Sequence, residues 1–422
     1  MTSPPTRSEP PSPRGPAVEP DLSAVLQRVD VQRMRATVAE LAADRFQGRR
    51  VGTPGGQAAG TWLADRLREL GPDVRLEPFH VKDVRELYRT PVLRWIDGHG
   101  THDCEHRRDF VEHLASADLP DPRSAPLANA TATDLHGRWV LAPADEWVQT
   151  TQRAELEGAA GVLMARGTDA DGWMPKMIAG PPRRSVPVIA VRTDLHQQLA
   201  DAVESGEVTV TASMPLRAVS AEAANVHAHL PIGEGGPRVL LTAHYDGVGD
   251  DPERRLPGAA DNASGVAAVL EAAFILNKCL TAPVDLAVSF LDAEEAGAWG
   301  SAHHVTDLPT GIQVINLDGA AQLYQAAAVE AGGPAHHLLA VLDQAGRRTG
   351  VPLRAGAMAS DNRRYAAAGH AAIGIGMGMP GYQTPAETPD RVESDTLTAA
   401  ARLLIAAVWL LAHPTATVPA VG

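Results

Sequence analysis

Residues 239–249 read VLLTAHYDGVG, and this stretch decides the fold. Its first residues are apolar or β-branched without a break. A run of that kind is a strand buried on both faces, the type that builds parallel sheets. It ends in His244 and Asp246. In open α/β sheets, sites form outside the carboxyl ends of the strands, so a His and an Asp at that position are candidates for chemistry. Three further stretches repeat the arrangement. GAADNASG (258–265) sets Asp261 just before a helix. VSFLDAEEAGAWGS (288–301) sets Glu294 and Glu295 at the end of a buried strand. VINLDGAA (314–321) does the same for Asp318. Carboxylates gathered at one sheet edge repel one another unless cations neutralise them. Imidazole with carboxylates suits Zn²⁺, with Mn²⁺ or Co²⁺ as alternatives.

Outward from that core the pattern alternates. Strands are expected at 225–230, 238–242, 284–291, 314–317 and 371–376, with helices at 265–277, 334–349 and 396–411. Strands spaced by helices of this length indicate a largely parallel, two-faced sheet. Upstream, helical spacing covers 31–46 and 57–70, and alternation covers 74–79. From 90 to 217 the texture changes to short β-like runs (138–142, 161–164, 186–191, 208–212) around one helix, 148–158. The expected fold is a three-layer α/β sandwich with a mostly parallel mixed central sheet and a small β-rich inserted domain. Its parts are a disordered tail (1–20, rich in Pro, Ser and charge), the first part of the main domain (21–89), the insert (90–217), and the main domain carrying the metal site (218–422).

The totals set bounds. The 422 residues are ample for a full core. The net charge of −14 offers no basic footprint for nucleic acid or anionic membrane. Cys104 and Cys279 are too few for a disulfide framework and are read as reduced thiols. The first residues lack an apolar signal-peptide core, and no uninterrupted apolar run is long enough for a membrane span. The expectation is a cytoplasmic protein.

Each acidic piece has a plain structural reading. An H-x-D pair can be a hydrogen-bonded surface pair, D-N-x-S-G a turn and helix cap, and Glu-Glu the start of a solvated helix. It is their combination and order that point to a site. H-Y-D, then D-N-A-S-G, then E-E-A-G-A-W-G-S, then N-L-D-G resembles the M28 family of co-catalytic zinc aminopeptidases, from about residue 225 onward. RFQGRRVGTPGGQAAGTWLADRLRELG resembles that family's N-terminal helices. The 90–217 segment resembles a protease-associated (PA) domain, best in GRWVLAPADEWVQTTQRAELEGAAGVLMARG.

The resemblance implies roles. His244 and Asp318 would bind one metal, Asp261 would bridge two, and Glu295 would bind the second. Glu294 would be the general base, and Asp246 would orient His244 from behind. It implies hydrolysis of an amide bond in a peptide or small amino-acid conjugate, with one or two zinc ions.

Two positions depart from the family. Its last histidine ligand lies in a Y-H-T segment, and here GYQTPAETPD (381–390) places Gln383 there. Its S-D-H element reads Ser360-Asp361-Asn362. An amide oxygen is a weaker ligand than imidazole, so the second metal position is expected to be depleted unless a neighbour such as Glu387, or less readily His370, replaces it. Asn362, Arg363 and Tyr382 are candidates for substrate contact, Arg363 through the fit of its fork to a carboxylate. Two alternatives stay open. One is a single-metal acyl-transfer or cyclisation enzyme on the same scaffold, and the other is a catalytically weakened binding protein.

Overall fold

The computed structural model describes residues 21–71, 73–176 and 183–414. The expected disordered tail, 1–20, lies outside the described residues, as does the stretch 415–422.

The fold is mixed α/β with two mixed eight-stranded sheets. The first contains the strands read from the sequence. Its spatial order is Val74–Leu87, Leu216–His229, Asp285–Leu291, Arg238–His244, Gln313–Ala320, Ala371–Met377, Ala327–Gly332, Leu353–Ala355. The four strands from Asp285–Leu291 to Ala371–Met377 run parallel. Leu216–His229 and Ala327–Gly332 flank them antiparallel.

The apolar run that opened the reading is buried on both faces. Val239, Leu241 and Ala243 join a large core formed with helices Val31–Leu41, Gly265–Cys279, His336–Thr349 and Ser394–Ala412. Leu240 joins a smaller cluster on the other side, with Tyr365 and Ala366 of helix Asn362–Ala367. Helices 259–279 and 394–412 are apolar enough by composition to cross a membrane. Here 89% and 67% of their apolar windows are buried inside the protein, which marks them as core helices.

All strands of the second sheet fall between Leu93 and Met214, so they lie in sequence between two adjacent strands of the first. This sheet has its own apolar clusters, one around Leu163 and Ile189, the other around Val140 and Val162.

Three differences from the sequence reading have physical causes. The first helix ends at Leu41, and Asp44–Arg49 forms a tight turn with Gln47 and Gly48 at positive φ. A Cβ on Gly48 would lie 2.8 Å from Gly249, so this turn packs directly on the loop after His244. A second helix in the 90–217 region, Thr193–Ser205, buries only Leu195 and Leu199 and gave a weak apolar stripe. The strands Ala327–Gly332 and Leu353–Ala355 are short, and the first is alanine-rich. Neither carries the β-branched signature of a strand.

Candidate metal centre

Each acidic group reaches the centre from the carboxyl edge of the parallel strands. His244 ends Arg238–His244, and Asp318 lies near the end of Gln313–Ala320. Glu294 and Glu295 follow Leu291 by a few residues, and Gln383 follows strand Ala371–Met377. Asp261 sits in an irregular turn just before helix Gly265–Cys279, and its peptide bond to Asn262 is cis. The Asn262 side chain fastens this turn to the Asp318 strand. Its Nδ2 donates to the Leu317 carbonyl, and its Oδ1 accepts from Gly265 and Gly319 N–H.

His244 Nε2 lies 3.2 Å from a carboxylate oxygen of Asp261 and 3.2 Å from one of Asp318. The ligand atoms of these three residues all lie within 4.8 Å of one another. His244 Nδ1 faces Asp246, 3.2 Å from its carbonyl and 3.6 Å from its carboxylate. The sequence reading gave Asp246 the task of orienting His244. Its carboxylate has a further task, accepting the backbone N–H of Glu294 and of Glu295, which fixes the Glu-Glu turn.

The charges do not balance. Burial, reinforced by Asp261 and Glu294, pushes the Glu295 carboxyl well above the carboxylate range. Burial does the same to Glu294, with Asp318, Asp361 and Asp246 adding to it. Asp361 is pushed up to about 7, again chiefly by burial. At Asp318 burial acts upward too, but the His244 charge and Ser360 outweigh it and the value falls. Glu295 Oε1 is buried with no partner among the described residues. An unpartnered buried carboxylate oxygen beside a His-Asp-Asp cluster is a donor set suited to a divalent cation.

The altered segment departs further than the loss of a histidine. Gln383 is buried, and its Nε2 sits 3.5 Å from Glu295 Oε2. Glu387, one of the neighbours that could have replaced the imidazole, has both oxygens engaged by backbone. Oε1 accepts from Asp261 N–H at 2.5 Å and Oε2 from Gln383 N–H at 2.7 Å. It therefore staples two loops together. Asn362 Nδ2 and Arg363 Nε both donate to Glu330, so these two substrate candidates are taken up within the fold. Tyr382 is half-exposed, and its phenol is held protonated by burial and by the nearby carboxylates of Asp261 and Glu295. His303 and His304 close the short helix Trp299–His304. His304 is buried against Tyr365 and His227.

Sequence reasoning missed Arg49, which it passed over inside a glycine-rich turn. The Arg49 side chain is fully buried and donates to the carbonyls of Leu41, Tyr245, Pro257, Gly258 and Asp261. It ties the His244 loop to the Asp261 loop. No local signal marks such a residue, because its partners are up to 212 positions away. Ser360 was also missed. It accepts from Asn316 Nδ2, whose Oδ1 in turn accepts from Thr242.

Residues 225–408 match the family described as Peptidase family M28. Among similar proteins, "Probable lipoprotein aminopeptidase LpqL" of Mycobacterium tuberculosis is 29% identical over 315 residues, 70% of this chain and 59% of that protein. Aminopeptidase YwaD of Bacillus subtilis is 26% identical over 294 residues, 65% of this chain and 57% of its own length. The chain spans less than two thirds of these curated relatives. Among solved structures, the zinc aminopeptidase BSAP from Bacillus subtilis superposes with a TM-score of 0.70 at 21% identity, over 90% of this chain and 94% of that one. The segment that carries His244, Asp261, Glu294, Glu295, Asp318 and Gln383 thus matches the model of peptidase family M28, and the proteins similar to this chain include aminopeptidases.

Proposed function

We propose that the chain is a zinc-dependent metallopeptidase of the aminopeptidase type, cleaving an amide bond in a peptide or small amino-acid conjugate. The observation that carries this reading is the convergence of His244, Asp261 and Asp318 donor atoms within 4.8 Å, in a pocket with more buried carboxylates than cations. His244, Asp261 and Asp318 would hold the zinc, with Glu295 beside them. Bound there, zinc would act as a Lewis acid on the scissile carbonyl and make water more acidic. Glu294 is the base. It is only partly buried, and its raised proton affinity suits it to take a proton from the attacking water and hand it to the leaving amine. Asp246 holds Glu294 in place through its backbone N–H. Tyr382, half-exposed beside the carboxylates, is placed to touch substrate.

The same reading treats the chain as a three-layer sandwich. Residues 90–217 are an inserted unit of the PA type, and 218–422 are the main domain. It also takes the protein as cytoplasmic, acting on a dedicated small substrate. The position of every second-sheet strand between Leu87 and Leu216 supports the insertion.

Gln383 favours a centre with one complete metal position. Its amide donates toward Glu295 Oε2, where a second cation would otherwise sit.

Zinc content and hydrolysis of a panel of short peptides, measured together for wild type and Glu294→Gln, test the proposal. The expected result is zinc in both proteins and a loss of roughly 10²–10⁴ in rate for the variant. A chain that takes up no zinc, or a variant as active as the wild type, sinks the reading.

A further inference from the structure

A cavity of about 70 Å³ touches the metal centre at Asp246 and Glu295 and is walled on its far side by Arg50, Arg85, Lys176 and Leu114. A second cavity, of about 390 Å³, shares Arg50, Arg85 and Lys176 and continues past Tyr88 and Asp250. The three cations come from separate parts of the chain. Arg50 follows the turn Asp44–Arg49, Arg85 belongs to the long strand Val74–Leu87, and Lys176 comes from the segment after strand Gly161–Arg166. Lys176 also donates its backbone N–H to the Gln383 carbonyl, so this wall abuts the centre directly.

Apart from Asp246 and Glu295 of the metal centre, the carboxylates on the same walls are already engaged. Asp83 pairs with Arg183 at 2.7 Å. Glu86 is shared by Arg50 and Arg217, each at 2.6 Å. Asp250 pairs with Arg255 at 2.9 Å. Asp251 takes two N–H groups of Arg107 and the ammonium of Lys176. Arg85 is left with neutral partners. Its Nη2 donates to the carbonyls of Ser116 and Leu216, while its Nε is buried without a partner among the described residues. Burial, with the nearby Arg183 charge, weakens its hold on its proton. Arg85 is half-buried, with Asp83 and Asp118 near but not hydrogen-bonded to it, and a guanidinium whose hydrogen-bond partners are neutral carbonyls retains capacity for an anion.

We propose that this cavity binds the carboxylate of a short peptide substrate, on the far side of the amide bond being cleaved, with Arg85 as its principal donor and Arg50 in support. The inference rests on the hydrolase reading above and adds the substrate class: di- and tripeptides with a free terminal carboxylate. A probe of water size occupies about 10–15 Å³, so 70 Å³ holds a carboxylate and little more. A bulky side chain would have to lie in the larger adjoining space.

Leucylglycine and leucylglycinamide separate the possibilities. Their kcat/KM values are measured on the zinc-loaded wild type, and their binding is measured by calorimetry on zinc-loaded Glu294→Gln. The expected result is a preference of about tenfold or more for the free acid in both readouts. Arg85→Met collapses that ratio and Arg85→Lys keeps part of it. If Arg85→Met does not fold, Arg50→Gln is read in its place and lowers the same ratio. Equal handling of acid and amide by the wild type overturns the proposal, as does a ratio that survives Arg85→Met. Discrimination in binding without hydrolysis of either peptide sinks the hydrolase reading and leaves the anion site standing. Hydrolysis without discrimination does the reverse.

Discussion

The loop 246–251 carries a buried aspartate at each end, and the two ends differ in charge balance. At one end, Asp251 receives Arg107 on both oxygens, at 2.6 and 2.8 Å, with Lys176 at 3.3 Å. The same guanidinium donates to Glu112 at 2.7 Å. Burial alone would raise the Glu112 carboxyl, but Arg107 outweighs it and holds the value at about 2. At the other end, Asp246 supports Glu294 and Glu295, whose carboxyls are pushed up by burial and by their acidic neighbours. The first cluster is buried throughout, whereas Glu294 and Glu295 of the second are partly exposed. The first is neutralised from within and joins the 93–214 sheet to the metal-centre loop. In the second, His244 and the buried Arg49 face a larger set of carboxylates, Asp246, Asp261, Asp318, Glu294, Glu295 and Glu387, an acidic surplus expected where a cation belongs.

The largest effect should come from unbalancing the balanced end. Arg107→Leu leaves Glu112 and Asp251 buried without their cation, and should cost about 3–5 kcal/mol of unfolding free energy by urea titration. A loss under about 1 kcal/mol would show that the junction does not depend on charge pairing. Next comes Gln383→His, which should supply the missing imidazole and raise bound zinc by one equivalent in elemental analysis. If the wild type already binds two, the contrast between the complete and depleted positions disappears. Ser360→Ala should weaken zinc affinity roughly tenfold, measured by competition with a chromophoric chelator, by loosening the support behind Asp318.

The smallest effect is a tilt with pH. In zinc-stripped protein the raised carboxyls of Glu294, Glu295 and Glu387 bind protons more tightly than in the unfolded chain. The stability they contribute is therefore present below the ordinary carboxylate range and is lost as pH rises through their raised values. Glu112 has the opposite sign. Its stabilisation is present above the ordinary glutamate value of 4.5 and is lost as pH falls toward about 2. The thermal midpoint of stripped protein should fall between mildly acidic and neutral pH, and zinc should abolish the fall. A stripped protein that gains stability over that range would contradict the assignment of uncompensated charge to the centre.

Much of the candidate site was legible because His244, Asp318 and the Glu294–Glu295 pair follow apolar runs, while Asp261 is marked by the turn before a helix. The run at 239–243 announces a strand buried on both faces, so a polar residue at its end lies at the sheet edge by necessity. Other features left no local trace. Glu387 looked like a spare ligand because it is near Gln383 in sequence, yet its oxygens are consumed by two backbone amides. Asn362 and Arg363 looked free until Glu330, from a strand too short to recognise, was found to take both.

The sequence by itself determined the order and type of the candidate ligands, the buried parallel strands that carry them, and a glutamine where the family it resembles has its last imidazole. These are local facts, written in hydrophobic runs and in the residues that end them. Only the tertiary structure decided which charges are compensated. Arg49 reaches carbonyls up to 212 residues away, and Arg107 meets Asp251 across 144. Pairing at that range depends on how separate elements pack, and no periodicity along the chain encodes it.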